Sequence, residues 1–529
     1  MWHNSVNNDP IYYIDVTPLD KLCMSNLENY FAPFRDGIIG YNLSQDFNGE
    51  SRRVIYADWT ASGRLYQPIE DYMQNQIGPY VANTHTEATL TGCTMTNAYH
   101  DAQKVIKQHV NAGENDVLIT GGSGMTSVIN KFQRILGLRL PEPFSEQVTV
   151  AEQDKPVVFI THMEHHSNQT TWNTCEVTVQ MIKPNQHGMP DLDHLRELLN
   201  KYADRATKIG AFTACSNVTG IITPYHEMAE IMHQHGGLCF VDFACSAPYV
   251  SIDMHPANPA QKLDAVYFSP HKFLGGPGSS GILVFDKKLY QNKIPDQPGG
   301  GTVTWTNPWG QQGFFDDIEA REDGGTPGFL QLIRVALAMK VKDAMGVENI
   351  QAREHELLDL FMSEIADNDD IMVLEDKNQE RLCIISLFVP GIHHNLIVRL
   401  LNDRFGIQTR GGCSCAGTYG HILFGVDENS SKEITDKIDS GDLTDKPGWV
   451  RISFHPTTTN QDVLTVVDAL KQVIANAKEW SSDYRFLPSS GDFEKKSNKS
   501  EFISINSFNP RSYQSANTKS RFKWFNRSA

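Results

Sequence analysis

The sequence predicts an α/β protein with a mostly parallel β-sheet, followed by a smaller α+β domain. Between about residues 54 and 330, short apolar runs alternate with longer amphipathic stretches. This alternation is typical of α/β folds, in which a helix connects each buried strand to the next. The chain has 529 residues and a hydrophobic content of 40%, which is sufficient for a large core and for two or three domains.

Five apolar runs are the strand candidates of the first domain, and each ends in a polar or glycine-bearing loop. They lie at 156–166, 208–220, 237–248, 263–272 and 280–285. The segment 228–236 separates two of these runs and has the spacing of apolar residues that a helix requires. Continuous apolar runs predict strands that are buried on both faces of a sheet. In such sheets, ligands bind at the carboxyl ends of the strands.

A long helical stretch at 332–365 leads into the second domain, where alternating strand and helix candidates continue to about residue 480. The last residues are rich in Ser and Asn and more basic than acidic, a composition that predicts disorder, although their aromatic residues leave a docking role open. We therefore predict an N-terminal segment that packs on the small domain (1–53), a large domain (54–330), a small domain (331–480) and a disordered basic tail (481–529).

Charge and composition exclude several functional classes. The formal net charge of −17 argues against a nucleic-acid-binding protein, because phosphate backbones would be repelled. The N-terminus does not resemble a signal peptide, and no later stretch is long and apolar enough to cross a bilayer. The nine cysteines are scattered rather than spaced as a disulfide framework, which predicts reduced thiols. We expect a cytoplasmic protein that acts on small molecules and binds neither nucleic acid nor membranes.

A lysine and an aspartate at neighbouring strand ends are the first chemical signal. Lys272 follows one apolar run, and Asp242 ends the run before it, 30 residues upstream. An aldehyde cofactor of the pyridoxal type needs a lysine amine that forms an imine and an acid that keeps its ring nitrogen protonated. For an isolated pair, the alternative is a helix cap and a solvated loop residue. The position of Lys272 between an apolar strand and a glycine-rich turn favours the cofactor.

Two further segments could complete such a site. Residues 119–132 combine a strand, a glycine-rich turn and the start of a helix, where backbone amides bind anions, and Ser269 and His271 could add donors. Residues 162–168 contain three histidines and a glutamate, so a metal site is one interpretation. No second cluster with ligand spacing accompanies them, and we therefore predict no metal and a cofactor-stacking role for His165.

Four motifs, in this order and spacing, resemble the class V aminotransferase fold of pyridoxal 5'-phosphate (PLP) enzymes, and specifically its cysteine desulfurase and selenocysteine lyase branch. They are "EHHSN", "SNVTG", "VDFACSAP" and "SPHKFLGGPGSSG". The likeness runs from about residue 54 to about residue 478. It implies a transferase of PLP fold type I, with a mostly parallel seven-stranded sheet in the large domain and a smaller α+β domain. It also implies a homodimer in which each subunit completes the other's active site.

The resemblance implies roles for individual residues. Lys272 would form the imine with PLP, Asp242 would face the ring nitrogen, and His165 would stack on the ring. The implied phosphate-binding residues are Gly124, Met125, Thr126, Ser269, His271 and, from the other subunit, Thr326. The implied substrate-binding residues are Asn217, His85, Arg410 and Arg451. Of these, Arg451 would bind the carboxylate, and Asn217 would also bind the cofactor.

The segment "TRGGCSCAG" resembles the mobile loop that carries the nucleophilic cysteine of desulfurases. Counting from Arg410 places Cys415, rather than Cys413, at the position of the nucleophile. In the implied reaction, Lys272 moves the Cα proton, and the Cys415 thiolate attacks the substrate sulfur to give a persulfide and alanine. Two alternatives stay open for these cysteines: packing of small residues, or half of a metal site with His421.

Two departures from the family pattern leave the substrate open. Cys245 stands where many relatives carry a glutamine that donates to the ring hydroxyl, and the segment between Arg410 and Arg451 is longer than in the simplest relatives, so an insertion there could cover the site. We therefore expect cleavage of cysteine or selenocysteine, with a protein as sulfur acceptor, and two alternative functions stay open. One is a PLP-dependent epimerase, aminotransferase or lyase for another amino acid, and the other is a non-catalytic dimer that binds partners.

Overall fold

The computed structural model describes residues 27–47, 49–84, 88–145, 147–148, 150–377, 380–496 and 503–510. The chain begins there with α1 (Leu27–Tyr30), α2 (Ala32–Asp36), β1 (Ser44–Phe47), β2 (Glu50–Arg53), β3 (Ile55–Tyr56) and α3 (Gln67–Tyr72). Phe31 is buried in the core of the large domain, whereas Arg53 forms an ion pair with Asp462 of the small domain. The segment before residue 54 thus contacts both domains and not the small domain alone.

The central sheet of the large domain has seven strands in the described part of the chain: β4 (Asp116–Gly121), β5 (Val157–Thr161), β6 (Thr178–Ile182), β7 (Lys208–Thr213), β8 (Leu238–Asp242), β9 (Ala265–Phe268) and β10 (Gly281–Asp286). Their order across the sheet is β4-β10-β9-β8-β7-β5-β6. β10 runs antiparallel to both its neighbours, and the other pairs are parallel. The predicted mostly parallel seven-stranded sheet is confirmed.

Helices cover both faces of this sheet. They are α4 (Leu90–His109), α5 (Met125–Ile135), α6 (Glu142–Ser145), α7 (His166–Asn173), α8 (Leu192–Lys201), α9 (Tyr225–Gln234), α10 (Ile318–Glu322) and α11 (Phe329–Met345). In β8, Phe240 packs into the core on one face, with α5, and Val241 packs into the core on the other face, with α4 and α11. β8 is therefore buried on both sides, as its continuous apolar run predicts. A separate hairpin consists of β11 (Val303–Thr306) and β12 (Gln312–Phe314).

The predicted helix at 332–365 is two helices, because α11 ends at Met345 and α12 (Val347–Ile365) begins after Gly346. Gly346 has a φ of +73°, a conformation that glycine adopts readily and that interrupts a helix. The buried residues of α11 belong to the core of the large domain, and those of α12 from Leu357 onward belong to the core of the small domain. By packing, the division between the domains therefore lies after α11.

The small domain contains β13 (Met372–Val373), β14 (Ile384–Phe388), α13 (His394–Phe405), β15 (Ile407–Gln408), β16 (Arg410–Gly412), α14 (Gly417–Leu423), α15 (Glu428–Asp439), β17 (Trp449–Ser453) and α16 (Asn460–Trp480). Its antiparallel sheet has the order β13-β14-β17-β16, and β15 pairs in parallel with β3. Apolar residues of α12, α13 and α16 form the core with this sheet. None of the described helices combines the length and apolar character needed to cross a bilayer.

The prediction of disorder from residue 481 is wrong for the first part of the tail. β18 (Tyr484–Leu487) and β19 (Asp492–Lys495) form an antiparallel hairpin. The ring of Phe493 packs on Phe486 and on His393, and the buried Tyr484 donates its hydroxyl to Asp403 at 3.0 Å. Aromatic side chains thus supply the apolar contact area that orders this part of the tail, although its overall composition is polar. Residues 511–529 lie outside the described residues.

Candidate active site

One cavity of about 210 Å³ lies where the carboxyl ends of β7, β8 and β9 meet the small domain. Most of the predicted site residues line it: Met125, Thr126, His165, Asn217, Asp242, Ser269, His271, Lys272, Arg410, Cys415 and Arg451. The large domain supplies the first eight, and the small domain supplies the last three. Segments that are far apart in the sequence therefore come together as the strand ends predict.

Asp242 and Lys272 lie on neighbouring parallel strands at the floor of the cavity. Asp242 ends β8 opposite Tyr267 of β9, and Lys272 follows β9 after a short helical turn. Burial raises the pKa of Asp242 to about 6, against the opposing effects of the Ala244 amide and of the Lys272 charge. Burial also lowers the pKa of Lys272, although Asp242 opposes that shift. A lysine with a lowered pKa has a larger fraction of free amine, the form that attacks an aldehyde.

His165 lies at the start of α7, and its Nδ1 accepts a hydrogen bond from the Ser167 N–H at 3.1 Å, which fixes the orientation of the ring. Burial and the charge of Lys272 lower the pKa of His165 to about 3. The ring is therefore neutral at physiological pH and suited to stacking on a flat, electron-poor cofactor ring.

Glu164, which the sequence indicated only as a member of the polar cluster at 162–168, has a structural role beside the cavity. It is fully buried, and it accepts hydrogen bonds from the Thr161 hydroxyl at 2.7 Å, the Thr213 N–H at 2.9 Å and the Asn168 amide at 2.8 Å. These bonds join the ends of β5 and β7 to α7. A glutamate beside two histidines, just after an apolar strand, was the available signal in the sequence.

The N-terminus of α5 forms a polar cradle at one end of the cavity. The Met125 N–H donates to the Ser269 hydroxyl at 2.8 Å, and the Thr126 and Ser167 hydroxyls are 2.6 Å apart. A Cβ atom at Gly124 would lie 3.0 Å from the Ser269 hydroxyl and 3.6 Å from Nε2 of His271, so glycine is needed for this close approach. Backbone amides and hydroxyls at the positive end of a helix are the groups that bind a phosphate.

At the opposite end, Arg451 of β17 is buried and paired. Its Nη2 donates to Asp58 at 2.7 Å, and its Nη1 donates to the carbonyl oxygen of Asn217 at 3.1 Å. Two buried polar atoms here, Nε of Arg451 and Oδ1 of Asn217, have no hydrogen-bond partner among the described residues. Since buried polar groups in proteins are nearly always paired, these two atoms indicate a place for a polar ligand. Asp58 was not predicted from the sequence as a partner of Arg451.

The cysteine loop, residues 413–416, covers the cavity from the small domain. Cys415 lines the cavity, whereas Cys413 packs against an apolar cluster that contains Met163, Val218 and Trp449. Of the alternatives given for Cys413 and Cys415, packing of a small residue therefore fits Cys413. Both ring nitrogens of His421 have other contacts, with Gly417 O at 2.8 Å and with the Ser431 hydroxyl at 2.9 Å. Within the described ranges, no group of three or more metal-ligating side chains is found.

Two of the predicted residues that the structure describes do not line the cavity. Gly124 borders it through the cradle described above, and Thr326 is exposed outside it. The predicted contact of Thr326 is with a second subunit and stays a prediction. His85 lies outside the described residues. The insertion after Arg410 forms α15, which has no buried residue and does not line the cavity, contrary to the expectation that an insertion there could cover the site.

Residues 55–466 match the family model described as aminotransferase class-V. The match covers most of the chain, so the chain belongs to the class-V aminotransferase family, which typically uses PLP. The family resemblance predicted from the four motifs and the fold it implied are confirmed.

Relatives within this family carry the name cysteine desulfurase. A probable cysteine desulfurase of Halalkalibacterium halodurans is 26% identical over 443 residues, covering 83% of this chain and 96% of that protein. One of Staphylococcus epidermidis is 27% identical over 437 residues, covering 81% and 94%. In structure, the chain is similar to the apo cysteine desulfurase of Thermococcus onnurineus, with a TM-score of 0.66, 21% identity and coverage of 84% and 98%. A cysteine desulfurase of Escherichia coli gives a TM-score of 0.62 at 21% identity, with coverage of 80% and 95%.

Proposed function

We propose that the protein is a PLP-dependent enzyme of the cysteine desulfurase type, which cleaves the C–S bond of L-cysteine, or the C–Se bond of selenocysteine, to give alanine. The observation that carries this proposal is the position of Cys415. It lines the same cavity as Lys272, Asp242 and Arg451, whereas Cys413 packs in an apolar cluster. A cysteine that lines the same cavity as the lysine and the arginine is in the place where the side chain of a bound amino acid would lie.

The residues of the large domain fit PLP by their chemistry. The cradle at the N-terminus of α5 would hold the phosphate, Asp242 would hold the proton on the ring nitrogen, and Lys272 would bind the aldehyde carbon. With its pKa near 6, Asp242 is mostly ionised at neutral pH, as this role requires. When bound, the cofactor supplies an electron sink that stabilises negative charge at the substrate Cα.

The remaining steps follow from the residues around the substrate. Arg451, with its unpaired Nε, would bind the substrate carboxylate, and Lys272 would remove the Cα proton. The Cys415 thiolate then attacks the substrate sulfur. A sulfur–sulfur bond forms and the Cβ–S bond breaks. The electron pair of the broken bond stays on the carbon skeleton, which is protonated to alanine, and Cys415 carries the persulfide.

We also propose a homodimer with shared active sites and a protein that accepts the persulfide sulfur. The hairpin of β11 and β12 supports the dimer, because Trp305 and Trp309 are 52% and 82% exposed and large exposed aromatic side chains are typical of interfaces. Thr326, the residue predicted to reach the other subunit, is exposed as well. The predicted cytoplasmic location and the predicted lack of nucleic-acid and membrane binding stay predictions.

The test compares Cys415→Ala with the matched variant Cys413→Ala. Purified PLP-loaded protein is incubated with L-cysteine, and alanine and enzyme-bound sulfane sulfur are measured. We expect alanine formation in the wild type and in Cys413→Ala, and a loss of both products in Cys415→Ala. Retained alanine formation in Cys415→Ala would overturn the proposed chemistry. Activity of Cys415→Ala on other amino acids would instead favour an epimerase, aminotransferase or lyase.

A further inference from the structure

His166 is the neighbour of the predicted cofactor-stacking histidine, but it contacts the cysteine loop instead of lining the cavity. Its backbone N–H donates to the carbonyl oxygen of Cys415 at 2.8 Å. Its side-chain Nε2 accepts a hydrogen bond from the N–H of Gly417 at 2.9 Å. One residue of α7 therefore binds the loop on both sides of Ala416 and fixes it to the large domain.

The cysteine loop depends on such contacts because its backbone is strained. Ser414 and Cys415 have φ values of +50° and +59°, in the left-handed region that residues other than glycine rarely adopt. Such a conformation persists only where its surroundings hold it. The large domain holds it at two points, through the Asn217 amide, which donates to Ser414 O at 2.7 Å, and through His166.

We propose that His166 is a positioning residue that holds Cys415 over the cavity for attack on the substrate sulfur. The proposal rests on the function proposed above and names a residue to which that function assigns no role. Because the side chain of His166 is not among the residues that line the cavity, it acts through the loop and not on the substrate. Gly417 packs closely on it, since a Cβ atom there would lie 3.2 Å from Nε2.

The charge state of His166 suits this role. A backbone N–H can donate to Nε2 only when the ring is neutral and carries its proton on Nδ1. Burial and the positive charge of Lys446 both lower the pKa of His166, which keeps the ring neutral. Further titratable groups close to His166 are Cys415, His165 just before α7, and His421 of α14, whose ring contacts Gly417 O.

The test uses the full chain loaded with PLP. His166→Ala removes the side-chain acceptor, and His166→Gln retains an uncharged acceptor of similar reach. Thr418→Val is the matched control, because the Thr418 hydroxyl makes a neighbouring bond between α14 and α7, to Gln169 at 2.9 Å. The measurements are the visible absorption of the cofactor, kcat and KM for alanine formation, and the rate at which iodoacetamide alkylates Cys415, with the free Cys93 of α4, which lies outside the loop, as an internal reference.

For His166→Ala we expect unchanged cofactor absorption, a KM within about twofold, and a kcat about tenfold or more lower, because a small displacement of a reacting group is sufficient for such a loss. Alkylation of Cys415 should be about fivefold faster, since the loop is released. His166→Gln should restore most of both values, and Thr418→Val should resemble the wild type.

Unchanged alkylation in His166→Ala, or no rescue by His166→Gln, would overturn the proposal. If His166→Ala does not fold, His166→Leu removes the same acceptor and keeps a side chain of similar volume, and the same changes are expected. A wild type that forms no alanine would contradict the proposed function alone, because the alkylation rates still test the loop.

Discussion

The two walls of the cavity are held by different kinds of contact. The wall from the large domain, with Asp242 and Lys272, is fixed by the register of neighbouring strands in the central sheet. The wall from the small domain is the cysteine loop, which is held by hydrogen bonds from Asn217 and His166 despite positive φ values. Hydrogen bonds of this kind can break without disturbing a sheet. In the proposed function, the groups that would bind the cofactor are thus preorganised, while Cys415, as the proposed nucleophile, is on a loop that can move to deliver sulfur.

The largest loss of activity is expected at Lys272, in the wall of the cavity that the large domain supplies. Lys272→Ala removes the amine that we propose binds the cofactor and moves the Cα proton, and alanine formation from L-cysteine should fall by about 1,000-fold or more. The visible absorption of the cofactor should change as well. The exposed Lys104→Ala is the matched control and should resemble the wild type in both measurements. Near-normal activity in Lys272→Ala would show that the large-domain wall does not carry the chemistry.

A smaller effect is expected where the two walls meet, at Arg451. Arg451→Lys keeps the positive charge but loses the planar fork that pairs with a carboxylate. We expect KM for L-cysteine to rise by about tenfold, while the cofactor absorption stays unchanged. Steady-state kinetics of alanine formation check this. An unchanged KM would indicate that another group, such as Arg410, binds the carboxylate.

The smallest effect is expected on the thermal stability of the protein, at Glu354 of α12. This residue is buried and accepts the N–H of Cys383 at 2.8 Å, and burial raises its pKa from 4.5 to about 8. Because the folded state favours the protonated acid, ionisation destabilises the fold increasingly as the pH rises from about 4.5 to about 8.

Glu354→Gln keeps an acceptor for Cys383 and does not ionise. We expect its melting temperature to match the wild type near pH 5 and to exceed it by about 2 °C or more at pH 8.5, as scanning calorimetry would measure. A constant difference across this range would contradict the assigned titration.

Much of this arrangement could be predicted from the sequence, because the signals were local. The apolar runs before Asp242 and Lys272 predicted strands, and the polar residues after them predicted the site. β6 gave no such signal, because Thr178 to Gln180 are half-buried and Met181 is exposed at the edge of the sheet. The break at Gly346 was missed because the helical pattern is apolar on both sides of it.

Contacts between distant segments could not be predicted in the same way. The pairing of Arg451 with Asp58 joins residues 393 positions apart, and the bond between Gly417 and His166 spans 251 positions. The hairpin after residue 481 was hidden by its polar composition, since its stability comes from the packing of Phe493 on His393. Such contacts depend on tertiary packing, between the two domains or within one of them, and not on any local pattern.

The most direct test of the central claim is peptide mass spectrometry of the PLP-loaded protein after incubation with L-cysteine and without reductant. We predict the mass of one added sulfur atom on the peptide that contains Cys413 and Cys415, with fragmentation that assigns it to Cys415. The added sulfur should be lost when a dithiol reductant is supplied. No added sulfur on this peptide, with alanine nevertheless released, would contradict a persulfide at Cys415.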